Sequence, residues 1–140
     1  TPITPTRTPT PAPPTPTVTP TATETPRRYV YQPPALLSPL PESYFEGREA
    51  SIVLSWTAVS LLAPEEWYML RLFRLQGGEK HLVARVQTKG TSWRVPKSTY
   101  CGEGADPCAF EWEVVVLRET KTGEQIAVSP PSGKSRFFWP

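Results

Sequence analysis

Asparagine is absent from the sequence, so the chain cannot carry an N-linked glycan. Histidine occurs once, as His81, and cysteine twice, as Cys101 and Cys108. A structural zinc site needs four ligands at fixed spacing, and one Cys-x6-Cys pair with a distant histidine does not supply them. Nucleophilic catalysis needs a serine or cysteine beside a positioned base, and the only imidazole is predicted beside a hairpin turn on an outer face. No run approaches the roughly 18 apolar residues that a membrane-crossing helix requires. The sequence starts at Thr1 rather than methionine. It reads as a mature or trimmed fragment whose export signal or anchor lies outside it.

Residues 1–26 lack glycine, leucine and every aromatic type, and what fills the space is one-sided. This stretch holds 9 of the 19 prolines and 11 threonines, with Thr-Pro seven times. Proline fixes φ, drives the preceding residue towards extended geometry and removes a backbone donor. Helix and sheet are thereby excluded, and polyproline II with a solvated backbone is expected. At about 3.1 Å per residue the segment would reach roughly 80 Å. Threonine-rich tracts with proline also have the composition of O-glycosylated stalks. Thr1, Thr4, Thr6, Thr8, Thr10, Thr15, Thr17, Thr19, Thr21, Thr23 and Thr25 are the candidate attachment sites. The bland alternative is a bare disordered linker.

All five tryptophans, five tyrosines and five phenylalanines follow residue 28, so only that part can bury a core. It has the length of one sandwich or barrel. The expected organisation is a stalk over 1–28, a linker over 29–34 and a β-sandwich over 35–140. Setting aside Arg7, Arg27, Arg28 and Glu24 leaves 12 basic and 12 acidic residues in the domain. A nucleic-acid partner would call for a basic patch or a high domain charge, and neither is present. Arg27-Arg28 reads as a solvated linker pair.

Seven runs with a period of two follow, separated by turn signals. They cover residues 35–40, 51–57, 67–75, 81–87, 91–95 and 109–118, then a last strand over 125–129 and 135–139 interrupted by Pro130-Pro131-Ser132-Gly133. Ile52, Leu54 and Trp56 share one phase, as do Tyr68, Leu70 and Leu72, and Phe110, Trp112, Val114 and Val116. Trp56 and Trp112 are thus core residues rather than ligand platforms. Residues 60–66 have room for one helical turn. At Gly77-Gly78 a two-residue loop would pair Leu72 with Val83 and turn His81 and Arg85 inward. A three-residue loop, Gln76-Gly77-Gly78, pairs Leu72 with Leu82 and keeps charge outside, so burial favours the longer loop.

Trp56, Tyr68-x-Leu70-x-Leu72 and Phe110-x-Trp112-x-Val114 resemble the core pattern of fibronectin type III domains over roughly residues 33–139. The resemblance implies a seven-stranded antiparallel two-sheet sandwich. One departure stands out: that family places a corner tyrosine at the start of the sixth strand, whereas here Val95-Pro96 is followed by Tyr100 and a Cys-closed loop, and Phe110 opens the strand. A Thr/Pro tail before such a sandwich also resembles bacterial surface proteins and sugar-coated extracellular fibres.

Cys101 and Cys108 read as a disulfide in an exported protein. Glu111 and Glu113 share a strand face at a separation that suits a glycosidase pair only loosely, and the plainer reading is a solvated face paired with Arg71 on the neighbouring strand. Trp67, Met69 and Phe73 form an outward apolar cluster with Val115 and Leu117. Such a cluster points to a partner, with Tyr29 and Tyr31 as further contact residues where residues 29–34 of one chain lie head-to-tail against the sandwich of the next, to covering by the chain's own linker over 29–31, or to an aromatic platform for sugar. No catalysis and no cofactor are expected. The expected function is a structural subunit of an extracellular filament that self-associates and carries O-linked glycan. The alternative is a carbohydrate- or cell-wall-binding module displayed on a stalk.

Overall fold

A computed structural model describes residues 29–102 and 108–140. Residues 1–28, with the candidate threonines, and residues 103–107 between the cysteines lie outside the described residues. The fold is all-β with two sheets. β1 (Leu36–Ser38), β3 (Val53–Trp56) and β6 (Ser92–Arg94) form the smaller sheet, in the order β1-β3-β6. The larger sheet runs β2-β9-β7-β4-β5 with β8 also against β7. Its strands are β2 (Ser43–Tyr44), β4 (Glu66–Gln76), β5 (Glu79–Thr88), β7 (Ala109–Glu119), β8 (Gln125–Ala127) and β9 (Ser135–Phe138). The described strands number nine rather than the expected seven. One pair, β2 with β9, is parallel.

Alternation places the core. Leu54 and Trp56 from β3, Tyr68, Leu70 and Leu72 from β4, and Phe110, Trp112, Val114 and Val116 from β7 are all buried. Trp56 bridges the sheets, its ring 6.3 Å from Trp112 and 5.9 Å from Tyr68. Phe110 stacks on Phe137 at 5.3 Å. The inward phase read from the sequence holds at each of these positions.

The β4–β5 hairpin differs from the expectation. Gln76 pairs with Glu79, so the loop is the two residues Gly77-Gly78. Both glycines have positive φ, 60° and 79°, which is what a type I′ turn demands of its two central residues. The conflict over burial is resolved by a register shift between Leu72 and Phe73. Phe73 pairs with Leu82, and Leu72 with Ala84, skipping Val83. The extra residue returns Ala84 and Val86 to the core side, opposite Leu72 and Leu70. Turn chemistry thus fixes the loop, and a bulge corrects the phase.

β8 and β9 run along the same edge of β7, one before and one after the double proline, as one broken strand. The double proline interrupts the ladder, and serine hydroxyls accept β7 N–H groups in place of strand carbonyls. Val116 N–H donates to Ser129 Oγ at 2.9 Å, and Val114 N–H to Ser132 Oγ at 2.8 Å. Both serines are buried. The break also changes phase. Val128 faces the core before it, and Phe137 and Trp139 after it.

Residues 63–66 form a turn rather than a helical one, closed by Glu66 N–H on Ala63 O at 2.9 Å, with Pro64 at its favoured second position. The described residues contain no α-helix; a single 3-10 turn spans Lys97–Thr99. No helix among them is long and apolar enough to cross a membrane.

Tyr31 and Trp139 mark opposite ends of the sandwich. Tyr31 meets Glu66, which pairs with Arg118 at one end of β7, while Trp139 N–H bonds Cys108 O at the other. Between them lie the 11 residues of β7, roughly 35 Å of strand.

Candidate functional site

Glu66 opens β4 in the inward phase and is 0% exposed. A lone buried carboxylate would be prohibitive, and this one is fully partnered. The Tyr31 hydroxyl donates to Oε1 at 2.5 Å and Ala63 N–H donates to the same oxygen at 2.8 Å. Arg118 grips Oε2 with two nitrogens, at 3.2 and 2.8 Å. Burial pushes the Glu66 carboxyl up, but the hydrogen bonds from Tyr31, Ala63 and Arg118 outweigh it and hold the group below the usual 4.5. The same bond to Glu66, with burial, raises the Tyr31 phenol above 10.0. Backbone bonds complete the joint: Val30 and Tyr31 N–H both donate to Val128 O, at 2.9 and 3.0 Å. The linker is therefore part of the folded domain.

Lys89 braces this end. Its ammonium donates to Ala63 O and Pro64 O, each at 2.9 Å, and to Glu66 O, and lies 4.1 Å from the centre of the Trp67 ring. Three carbonyls and an aromatic face give the cation a full set of partners.

The outer face of the larger sheet is less open than the sequence pattern implies. Met69 is buried, with Arg85 Nε directed at its sulfur at 3.4 Å. Trp67 lies under Lys89, and Phe73 under Lys80, whose ammonium is 4.2 Å from the ring centre. Long cationic side chains from β5, and that of Lys89 just beyond it, lay their stems over this apolar floor. The linker does not: Tyr31 donates to Glu66, and Tyr29 is exposed. Tyr29 and Tyr31 are thus separate from Trp67, Met69 and Phe73 in the network of described contacts. What stays open on this face is a groove of about 470 Å³ over Met69, Val115 and Leu117, rimmed by Arg71, Arg85 and Gln125.

Glu111 and Glu113 are held by ion pairs. Arg71 lies 2.7 Å from Glu113, and Lys80 lies 2.7 Å from Glu111 and has its pKa raised by that bond. His81 is exposed and 3.1 Å from Glu79. Cys101 and Cys108 form a disulfide, with their Cα atoms 6.4 Å apart. Tyr100, beside it, packs on Trp139 at 5.1 Å.

Fold and site together define a two-sheet β-sandwich with a locked N-terminal linker and a cation-covered outer sheet face. No family model matches the chain, and a search of curated proteins finds no match.

Proposed function

We propose that this chain is a non-catalytic structural subunit of an extracellular surface filament, with a fibronectin type III-like sandwich and an O-glycosylated Thr/Pro stalk. One observation carries the reading most. The linker and the β9 end of the chain occupy opposite poles, and both poles expose large apolar residues. Leu61 is 95% and Val30 59% exposed at the linker pole; Leu40 is 72% and Tyr44 61% exposed at the other. Unlike patches at opposite poles make a heterologous, head-to-tail contact, which grows into an open filament when its rotation does not close. The locked linker adds to this, because a stalk that leaves in a fixed direction preserves the axis from one subunit to the next. The disulfide is compatible with an oxidising, extracellular setting.

The head-to-tail contact proposed here does not use Tyr31, whose hydroxyl is committed to its own domain. The test is electron microscopy and intact mass of natively exported protein. Regular filaments, and a mass above 15.6 kDa in steps of sugar residues, are the expected outcome. Monodisperse particles at the bare mass overturn it. Single particles retained on a polysaccharide column would instead establish a displayed binding module.

A further inference from the structure

The groove on the outer face carries a guanidinium with no carboxylate partner among the described residues. Arg71 is committed to Glu113 and Lys80 to Glu111. Arg85 meets only the Met69 sulfur at 3.4 Å and Gln125 Oε1 at 3.3 Å. Those two contacts bring its guanidinium to the edge of the apolar floor of Met69, Val115 and Leu117. An apolar floor with a free cation beside it fits an apolar side chain that has a carboxylate close by.

The turn that leads into β2 presents such a pair. Leu40-Pro41-Glu42-Ser43 is closed by Ser43 N–H on Leu40 O at 3.1 Å. Pro41 stands at the second position and Glu42 at the third, with φ of 65°, as in a type II turn. That third position favours glycine, and Glu42 is the one non-glycine residue with positive φ among the described residues. A side chain kept against the backbone's preference points to a use for that side chain. The turn is also held in place: Glu42 N–H donates to Arg136 O and Phe45 N–H to Phe138 O, each at 2.8 Å. Leu40 is exposed. The Glu42 carboxylate faces one cation among the described residues, Arg136 Nε at 3.6 Å, which is beyond hydrogen-bond distance.

We propose that Leu40 and Glu42 of one copy seat in this groove on the next, the leucine on the floor of Met69, Val115 and Leu117 and the carboxylate on Arg85. The seat depends on the filament reading and gives that reading its contact. Position agrees with it. The turn lies beside β9, where Ser43 and Tyr44 pair with Phe137 and Phe138, towards the Trp139 end. Met69 and Leu117 lie close in register to Glu66 and Arg118, at the Tyr31 end. Turn and groove are different surfaces, so the contact is heterologous and adds copies in one direction.

Sedimentation velocity of the natively exported full chain, over a range of concentrations, tests the seat. The wild type should associate, and Glu42→Arg and Arg85→Glu should each weaken association at least about tenfold. Mixed together, the two variants should associate again, because each then meets the opposite charge on its neighbour. The double variant alone should associate for the same reason. Glu42→Gly relaxes the turn, so it should melt no lower than the wild type and still lose association, which separates contact from folding. A wild type that stays monomeric overturns both the seat and the filament reading. Association that the single variants leave intact, or that mixing does not restore, overturns the seat alone. Loss in Leu61→Glu with wild-type association in Glu42→Arg moves the contact to the Leu61 loop and also overturns the seat alone.

Discussion

The Tyr31 hydroxyl donates to the Glu66 carboxylate at 2.5 Å across 35 residues of sequence. This bond joins the linker to the mouth of β4, and Arg118 holds the other carboxylate oxygen. Tyr31→Phe removes one bond to a charged group and should cost about 1–2 kcal/mol in a urea melt. Amide exchange at Val30 and Tyr31 should accelerate more than at Val114. In a Tyr31→Phe, Glu66→Gln cycle the two costs should be non-additive; strict additivity would mean the two groups do not act through each other.

The joint should loosen at both extremes of pH. The Glu66 carboxyl is depressed in the fold, so its contribution is present above the ordinary 4.5 and is lost as pH falls through the lower folded value. The Tyr31 phenol is raised, so its contribution is present below 10.0 and is lost as pH rises through the higher folded value. Stability of the wild type should fall on both flanks, and Tyr31→Phe should flatten the alkaline one. An unchanged alkaline flank in that variant would rule out the Tyr31 contribution.

Ser129→Ala and Ser132→Ala should each cost about 1–3 kcal/mol, because each leaves a buried β7 N–H without its acceptor. Threonine keeps the hydroxyl and should recover part of the loss. Thermal melts of the four single variants decide this, and alanine variants that melt with the wild type would show that the hydroxyls do not support the ladder.

Trp56→Ala and Trp112→Ala each empty the centre of the sandwich and should cost about 3–5 kcal/mol. Phenylalanine should be markedly milder at either site. Both indole N–H groups are buried without a protein hydrogen-bond partner among the described residues, so no such bond is lost with them. Denaturant midpoints distinguish these outcomes.

The unreduced protein should be two hydrogens lighter than the reduced chain by mass spectrometry, for the Cys101–Cys108 bond. With a sequence separation of 7, the bond should contribute about 2–3 kcal/mol by constraining the unfolded chain. Equal melting points for wild type and a Cys101→Ser, Cys108→Ser variant would remove that contribution.

Much of the architecture is readable from side-chain alternation alone. Ile52, Leu54 and Trp56, and Phe110, Trp112, Val114 and Val116, face inward because period two in hydrophobicity is the period of the strand itself. The bulge at Val83 is not readable this way. Nothing in hydrophobicity marks where a residue is skipped, and only the demand of Gly77-Gly78 for a tight turn forces it. Glu66 is hidden for a related reason. It follows Glu65 and reads as solvated charge, and its burial depends on Tyr31 and Arg118, which are distant in sequence. The outer cluster misleads in the opposite sense. Met69 alternates outward yet is buried, because the chain on β5 that covers it is cationic and reads as surface. The disulfide is readable because the chain has two cysteines, close in sequence, and so a single intramolecular pairing.

The double proline between β8 and β9 behaves like a dislocation in a crystal. Without it, Phe137 and Trp139 would continue the phase of Gln125 and Ala127 and project into solvent. Individual residues in the break can vary wherever a hydroxyl or a ring is not required. Its length cannot, since deleting or inserting one residue would shift the reading frame of the final strand and turn the last aromatic layer of the core inside out. Related sequences should therefore tolerate substitution in this segment far better than a change in its residue count.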